Sequence, residues 1–354
     1  MNTESKKFLY KLLNTPSPVG SEVAIQRVVK ARMKSYADEI KTDVHGNLIV
    51  GINTKAKTSV MLAGHCDQIG FMVRHIDEHG CLFVDALGGI DPVVLPGTHV
   101  VVQTKKGEIE GVFGKKAIHL ENAQERSKPK IDFDKLWIDI GAKDKKEAEK
   151  LIEIGDSATF KLGVTELRND YVVAPGLDDK VGVFVAMEAL RLCAKKKLNV
   201  ALYSVSTVQE EVGLRGAQTS AYGINPDVGV AIDVCHAYDN PAKPPRKMPP
   251  CDLGKGPAIG RGPNINPIVE KMLFAAAKKT KVKSQPAPMA SLQGNDSNAM
   301  QVSRGGVATG FLGIPNRYMH TQVEMVCLKD LENSAKLLAE FIQSIGSNTD
   351  FRPK

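Results

Sequence analysis

Long apolar segments are absent from this chain of 354 residues, which nowhere approaches the ~20 consecutive apolar residues of a membrane-spanning helix. The first residues, Met1–Lys7, are polar and lack the apolar core of a secretory signal. The sequence therefore predicts a protein that is neither secreted nor embedded in a membrane, and we expect a cytoplasmic location.

Cysteine is sparse, and its spacing does not suit a thiolate metal site. The six cysteines are Cys66, Cys81, Cys193, Cys235, Cys251 and Cys327, and no two of them form a C-x-x-C pair. This scatter argues against a disulfide framework or a cysteine zinc site, and it predicts reduced, mostly buried thiols.

A strong excess of one charge is also missing. The 47 basic residues are nearly balanced by 40 acidic ones, which leaves a net charge of +7, and aromatic residues make up only 5% of the chain. Without a stripe of basic and aromatic residues we expect no nucleic-acid partner. The 42% hydrophobic content is typical of globular proteins, and the chain length favours two domains.

The pattern of apolar residues changes twice along the chain. Residues 1–70 and 161–354 alternate helical periodicity with apolar strands, which predicts a largely parallel or mixed sheet covered by helices. Residues 71–160 consist of short strand-like runs separated by glycines, which is typical of a small barrel or sandwich. We therefore predict an α/β domain with an inserted β-rich domain. Asp239–Pro267, rich in proline and glycine, is predicted to be a long loop.

Acidic or imidazole side chains follow the apolar runs of the α/β domain. They are His65 with Asp67, Glu210 with Glu211, Asp233, and His320, while the pair Asp178-Asp179 precedes a predicted helix. Ligands of open α/β sheets bind beyond the carboxyl ends of the strands, so these side chains are expected to converge.

The converging set of two imidazoles and several carboxylates suits Zn²⁺, Co²⁺ or Mn²⁺. So many carboxylates would repel one another unless two divalent cations neutralised their charge. Paired divalent cations are common in the active sites of hydrolases. Asp67, two residues after His65 on an extended chain, is placed to accept the second N–H of that imidazole. Of the adjacent Glu210 and Glu211, one can bind metal while the other acts as general base.

Several segments together resemble one known family. The matching stretches are TPSPVGSE at 15–22, AGHCDQIGF at 63–71, ER at 125–126, APGLDDKVG at 174–182, QEEVGLRGA at 209–217 and IPNRYMHT at 314–321. They resemble the TET-type di-metal aminopeptidases, members of which are also labelled glutamyl aminopeptidases, deblocking aminopeptidases and endoglucanase-M-like proteins.

This resemblance implies a role for each residue of the set. His65, Asp178 and Asp233 would hold one metal, and Asp178, Glu211 and His320 the other. Glu210 would be the general base, and Asp67 would orient His65. The resemblance also implies zinc or cobalt as the metal and a cis peptide bond between Asp178 and Asp179.

The resemblance further implies substrates and an assembly. Short peptides with a free N-terminus would be cleaved, and the mixed-sheet catalytic domain would carry a barrel-like insert that mediates dimerisation. Such dimers would build a homo-oligomer, a hollow dodecamer.

Neither the preferred N-terminal side chain nor the exact type of enzyme follows from the sequence alone. Cys66 and Gln68 stand where relatives usually have Met and Glu, and GNDSNAM at 294–300 replaces a GTDA pattern, so the preferred side chain is not predicted. A deacylase or carboxypeptidase could use the same site, and a glycosidase would instead need two carboxylates flanking a sugar. A non-catalytic relative is disfavoured by the complete ligand set.

Overall fold

The computed structural model describes residues 1–122, 131–242, 248–291 and 294–353. The Glu125-Arg126 motif lies outside these residues. The helices are α1 Thr3–Leu13, α2 Val23–Met33, α3 Lys145–Leu151, α4 Leu177–Cys193, α5 Arg215–Ile224, α6 Pro267–Thr280, α7 Asp296–Gln301 and α8 Leu328–Ser344. Among the helices of the described residues, none combines the length and the apolar character needed to cross a bilayer.

Eight strands form a mixed sheet in the order β1-β2-β12-β3-β13-β16-β14-β15. Their bounds are β1 Glu39–Thr42, β2 Leu48–Ile52, β3 Thr58–His65, β12 Val200–Thr207, β13 Val228–His236, β14 Ala258–Arg261, β15 Gln285–Pro288 and β16 Ala308–Asn316. The four central strands, β12, β3, β13 and β16, are parallel, so their carboxyl ends lie at one edge of the sheet.

Both faces of this sheet are buried, which explains why its central strands are almost uniformly apolar. Along β3, Val60 and Leu62 face a core shared with α1, α2, α4 and α8, whereas Met61 and Ala63 face α5 and α7. Helix α4 approaches β3 very closely, because a Cβ on Gly64 would lie 2.4 Å from the backbone of Gly182. Glycine at position 64 therefore lets the start of α4 reach the end of β3.

Six further strands close into a barrel in the order β4-β5-β8-β7-β6-β9. They are β4 Gly70–Ile76, β5 Leu82–Leu87, β6 His99–Thr104, β7 Gly107–Lys115, β8 Leu136–Asp139 and β9 Ser157–Phe160. The interior holds a separate apolar core in which Phe71 stacks edge-on against Phe113 and Phe160. A small sheet of β10 Thr165–Glu166, β11 Tyr171–Val173 and β17 Met325–Cys327 adjoins the α/β part.

The predicted α/β fold with a mixed sheet and a barrel-like insert is confirmed. The prediction that Asp239–Pro267 is entirely loop is wrong, because Ala258–Arg261 forms β14 and pairs with β15 and β16. Helix α5 was not predicted, since its sequence RGAQTSAYGI contains two glycines and few strong helix formers.

Candidate metal centre

The residues predicted to converge lie together at the carboxyl edge of the central strands. His65 is the last residue of β3, Asp233 lies near the end of β13, and Asp178 lies at the start of α4. Glu210 and Glu211 follow the end of β12 by three and four residues, and His320 follows the end of β16 by four. The residues thus come from five different segments of the α/β domain.

Two groups of three residues share the carboxylate of Asp178. Its Oδ1 lies 3.1 Å from Nε2 of His65, and its Oδ2 lies 3.2 Å from Nε2 of His320. Asp233 completes the first group, with Oδ1 3.8 Å from Nε2 of His65. Glu211 completes the second, with Oε1 3.6 Å from Nε2 of His320. In each group the potential ligand atoms lie within 4.8 Å of one another.

These separations fit metal ions at both groups. Two ligand atoms bound ~2.0–2.1 Å from one ion at tetrahedral angles lie roughly 3.3 Å apart, close to the observed 3.1 to 3.8 Å. Oε1 of Glu211 is buried and has no hydrogen-bond partner in the described structure. A buried carboxylate oxygen without a partner is costly, and a cation would satisfy it.

The pKa values of the carboxylates in the metal-free protein also favour bound cations. Burial raises the pKa of Glu210 to about 9, and the nearby Asp233 and Asp178 add to the shift against the opposing effect of His65. Burial likewise raises the pKa of Glu211 to about 8, with Asp178 contributing. Burial disfavours the ionised form of Asp178 as well, but hydrogen bonds from His320 and His65 outweigh it and lower the pKa. Two divalent cations would bring all these carboxylates to the ionised state.

The role of Asp67 differs in detail from the expectation. Nδ1 of His65 lies 3.0 Å from the backbone carbonyl of Asp67 and 3.6 Å from its carboxylate, so the carbonyl, not the side chain, is within hydrogen-bonding distance. The carboxylate accepts hydrogen bonds from the backbone N–H groups of Glu210 and Glu211, each at 3.1 Å. Asp67 is therefore in contact with both the histidine and the glutamate segment.

The peptide bond between Asp178 and Asp179 is cis, as the resemblance implies. Asp179 is fully buried, and its carboxylate accepts hydrogen bonds from the backbone N–H groups of His65 at 3.2 Å and Gly182 at 3.0 Å. The second aspartate thus fixes the start of α4 against the end of β3, while the first faces the two histidines.

Glu324 is a buried residue of the site that sequence reasoning missed. Its two carboxylate oxygens accept hydrogen bonds from the backbone N–H groups of Asp178 and His320, both at 2.9 Å. His320 has φ +61°, a left-handed conformation that is uncommon for a non-glycine residue. Glu324 thereby holds the backbone of one residue from each group.

Asp296 is a second missed acid. It is buried at the start of α7, accepts a 2.7 Å hydrogen bond from Oγ1 of Thr207, and leaves its Oδ1 without a partner in the described structure. Burial raises its pKa to about 6, opposed by His65 and Thr207. Its charge also contributes to the raised pKa of Glu210, the general-base candidate.

The two groups open into a cavity of about 360 Å³. Beyond the metal-ligand candidates and Glu210, its wall is formed mainly by apolar and sulfur-bearing side chains. It includes Val234, Cys235, His236, Tyr238, Met248, Pro249, Cys251, Pro286, Ala287, Pro288, Met289, Asn295, Phe311 and Met319. His236 therefore lines the cavity, whereas Cys66 is fully buried in the main core.

A family model described as M42 glutamyl aminopeptidase matches residues 46–337. The chain belongs to this family. The lysyl aminopeptidase of Pyrococcus furiosus is 38% identical over 349 residues, covering 98% of this chain and 99% of that protein. Family membership favours the aminopeptidase over the deacylase, carboxypeptidase and glycosidase alternatives, and M42 peptidases depend on metal.

Solved structures agree with this assignment. A TET aminopeptidase from a marine-sediment Thaumarchaeota archaeon has a TM-score of 0.92 at 31% identity, covering 98% of both chains. The TET1 peptidase of Pyrococcus horikoshii, described as assembling into a tetrahedron or a large octahedral shell, has a TM-score of 0.84 at 32% identity. That match covers 96% of this chain and 100% of the other.

Proposed function

We propose that this member of the M42 family removes N-terminal residues from short peptides at a di-metal centre. The observation that carries the proposal is the carboxylate of Asp178, whose two oxygens face two histidines of separate ligand groups. His65, Asp178 and Asp233 would hold one divalent ion, and Asp178, Glu211 and His320 the other. The nitrogen and oxygen donors suit Zn²⁺ or Co²⁺.

Two divalent ions bound there would supply a water of lowered pKa and positive charge opposite the oxyanion of the attacked carbonyl. Glu210 is the general base: it is 8% exposed, and its Oε2 lies 3.8 Å from Nε2 of His65. It takes a proton from the attacking water and returns it to the nitrogen of the leaving amine, which balances the proton transfer. Asp67 fixes the direction of Glu210 through the backbone hydrogen bond described above.

The cavity wall favours an uncharged, apolar N-terminal side chain. Outside the ligand groups and Glu210, the described residues that line it include no Asp, Glu, Lys or Arg. Methionine side chains such as Met248, Met289 and Met319 adapt to irregular apolar shapes. We therefore expect leucine or methionine at the substrate N-terminus to be preferred over lysine or glutamate.

The barrel domain, residues 71–160, is proposed to mediate homo-oligomerisation. Its surface exposes large apolar side chains, among them Val93, Ile118, Leu120 and Ile154, which contacts between subunits would bury. Because the Pyrococcus horikoshii relative is described as assembling into a tetrahedron, we propose a dodecamer built from dimers, located in the cytoplasm. Light scattering coupled to size-exclusion chromatography tests this, and a stable monomer would contradict it.

The test of the enzymatic proposal is hydrolysis of aminoacyl-p-nitroanilides by metal-stripped protein before and after addition of Zn²⁺ or Co²⁺. N-acetylated analogues serve as controls. We expect metal-restored cleavage of the free-amine substrates alone. Cleavage of the acetylated substrates, or no cleavage with any metal, would refute the aminopeptidase assignment.

A further inference from the structure

Two thiols touch in the wall of the substrate cavity. Sγ of Cys235 lies 3.3 Å from Sγ of Cys251, although 15 residues separate them along the chain. Both are free cysteines, and both line the cavity next to the ligand groups. A disulfide requires a separation of ~2.05 Å, so an approach of about 1.3 Å would join them.

The backbone on both sides holds this pair together. Cys235 lies in β13, where it pairs with Pro315 of β16, and Gly313 leaves room for its sulfur because a Cβ there would lie 2.8 Å from it. The carbonyl of Cys251 accepts a 2.8 Å hydrogen bond from the backbone N–H of Tyr238. The backbone contacts on both sides therefore place the two thiols next to each other.

Further hydrogen bonds secure the segment that carries Cys251. The backbone N–H of Leu253 donates to the carboxylate of Asp239 at 3.2 Å, and the same carboxylate forms an ion pair with Arg317. The side chain of Gln285 accepts from the N–H of Asp252 at 2.9 Å and donates to its carbonyl at 3.1 Å. These bonds place Cys251 beside β13 in the absence of any cross-link.

We propose that Cys235 and Cys251 form a reversible disulfide when the disulfide bond of oxidised glutathione reaches the cavity wall, and that the new bond narrows the cavity for large N-terminal side chains. One thiol, as its thiolate, attacks oxidised glutathione and releases one glutathione thiolate; the second thiol then displaces the other glutathione. The two cysteines are oxidised to one disulfide, glutathione disulfide is reduced to two thiols, and the protons pass from the protein to the glutathione.

The positions of the two cysteines indicate which wall of the cavity moves when the disulfide forms. Cys235 lies within the central parallel strands, whereas Cys251 lies outside the helices and strands of the described chain. When the disulfide forms, we therefore expect the movement mainly in Cys251 and in Met248 and Pro249, which precede it in the cavity wall. Drawing these residues towards β13 reduces the space beside Asp233 without displacing the metal ligands.

The cross-link is tested on the metal-loaded, full-length protein by incubation with oxidised glutathione and non-reducing tryptic mass spectrometry. Trypsin cuts after Arg246 and Lys247, so the two cysteines appear in one species only if they are joined. The incubation is run at mildly alkaline pH, because thiol–disulfide exchange proceeds through the thiolate. We expect the linked peptide pair, and its loss after reduction with a phosphine.

Selectivity is measured on the same samples as the ratio of kcat/KM for leucyl- and alanyl-p-nitroanilide. Oxidation is expected to lower this ratio by about 3- to 10-fold, with recovery after reduction. Cys251→Ser should abolish the response to oxidised glutathione. Cys81→Ser, which removes a half-buried thiol of the barrel, should leave both the basal activity and the response unchanged.

The outcomes separate cleanly. Absence of the linked peptides overturns the disulfide, and linkage with an unchanged ratio overturns its effect on the cavity. A full response in Cys251→Ser would assign the effect to another group. The selectivity readout rests on the proposed aminopeptidase function, whereas the linked peptides do not, so failure of that function leaves the cross-link testable.

Discussion

The backbone carbonyl of Gly89 accepts a 2.6 Å hydrogen bond from Nδ1 of His320. Gly89 belongs to the loop after β5 of the barrel, whereas His320 belongs to the α/β domain, so the barrel takes part in orienting a metal-ligand candidate. A hydrogen bond to the second ring nitrogen fixes the tautomer and leaves Nε2 free to bind metal. The inserted domain therefore contributes to the site although none of its described residues belongs to a ligand group.

Gly88→Ala tests this contact between domains. Gly88 has φ +86°, and an added Cβ would lie 2.9 Å from Ile69 and 3.2 Å from Oε2 of Glu211. We expect a loss of affinity of about 10- to 100-fold for the ion held by Glu211 and His320, with a matching loss of activity at limiting metal. Metal titration against a competing chelator measures it.

The matched control is Gly97→Ala. Gly97 has φ +84° in another loop of the barrel, and an added Cβ there would meet no atom within 4 Å. It therefore carries the same backbone strain without the contact. Equal losses in the two variants would show that strain in the barrel, and not the approach to Glu211, is responsible.

Glu210→Gln is expected to retain both metals and to lower kcat by about 10²- to 10⁴-fold, the usual contribution of general acid–base catalysis. The amide has nearly the same shape as the carboxylate but cannot accept the proton of the attacking water. Elemental analysis and steady-state kinetics on one preparation measure the metal content and kcat. Full activity in Glu210→Gln would disprove its assigned role.

Asp178→Ala should instead lose metal and activity together, because Asp178 faces both histidines.

Glu324→Gln addresses the acid that sequence reasoning missed. The variant keeps one acceptor oxygen for the two backbone N–H groups of Asp178 and His320, so one of them loses its partner. We expect metal affinity to fall by about 10- to 100-fold while kcat at saturating metal stays within a few-fold. Glu332→Gln, which removes a half-buried carboxylate of α8 that neither lines the cavity nor belongs to a ligand group, is the control. An unchanged metal affinity would mean that Glu324 does not support the ligands.

Most of the ligand candidates could be recognised from the sequence because they follow apolar runs that are buried on both faces, whereas Asp178 precedes α4. Such runs are unmistakable as strands, and the parallel arrangement places their ends at one edge. Glu324 escaped because it is a single acid in a turn, four residues beyond His320, before the three-residue strand β17. Only the folded chain shows that its two oxygens join Asp178 and His320.

The contacts between the domains could not be predicted from the sequence either. A Gly-Gly pair predicts a turn, but the direction of the carbonyl of Gly89 depends on how the closed barrel sits against the sheet. The same holds for Cys235 and Cys251, whose contact depends on the chain folding back after β13. Short strands such as β1 and β8 contain too few residues to show a period.

Removal of metal should make stability strongly dependent on pH. Burial raises the pKa of Glu210 to about 9 and that of Glu211 to about 8 in the metal-free protein, above the ~4.3 of an unfolded glutamate. A raised carboxylate pKa means that the folded state binds more protons, so this stability is present at low pH and is lost as pH rises towards 8 and 9. His320 acts in the same direction: burial lowers its pKa, but the hydrogen bond to Asp178 and the charges of Glu211, Asp178 and Glu324 together outweigh burial and raise the pKa to about 10.

We therefore expect the Tm of metal-free protein to fall by roughly 5 °C or more between pH 5 and pH 9. Metal-loaded protein should show a smaller change, because cations bind the ionised carboxylates and compete with protons. Differential scanning calorimetry of both forms at one scan rate makes the comparison. In metal-free Glu210→Gln the slope should be reduced, since the variant removes one titrating group. A pH-independent Tm of the metal-free wild type would contradict the electrostatic account.

Met248→Glu tests the proposed preference for apolar N-terminal residues. Met248 lines the cavity and is 41% exposed, so a glutamate there can remain hydrated while it faces the substrate side chain. The wild type should cleave leucyl- and methionyl-p-nitroanilide in preference to the lysyl and glutamyl substrates. In the variant, the ratio of kcat/KM for the lysyl to the leucyl substrate should rise by about 10-fold, since the new carboxylate attracts the lysine ammonium. Val302→Glu adds the same charge at an exposed position that does not line this cavity, and it should leave the ratio unchanged. An equal shift in both variants would assign the effect to net charge. A wild type that prefers the lysyl substrate would disprove the apolar preference but would leave the aminopeptidase function intact.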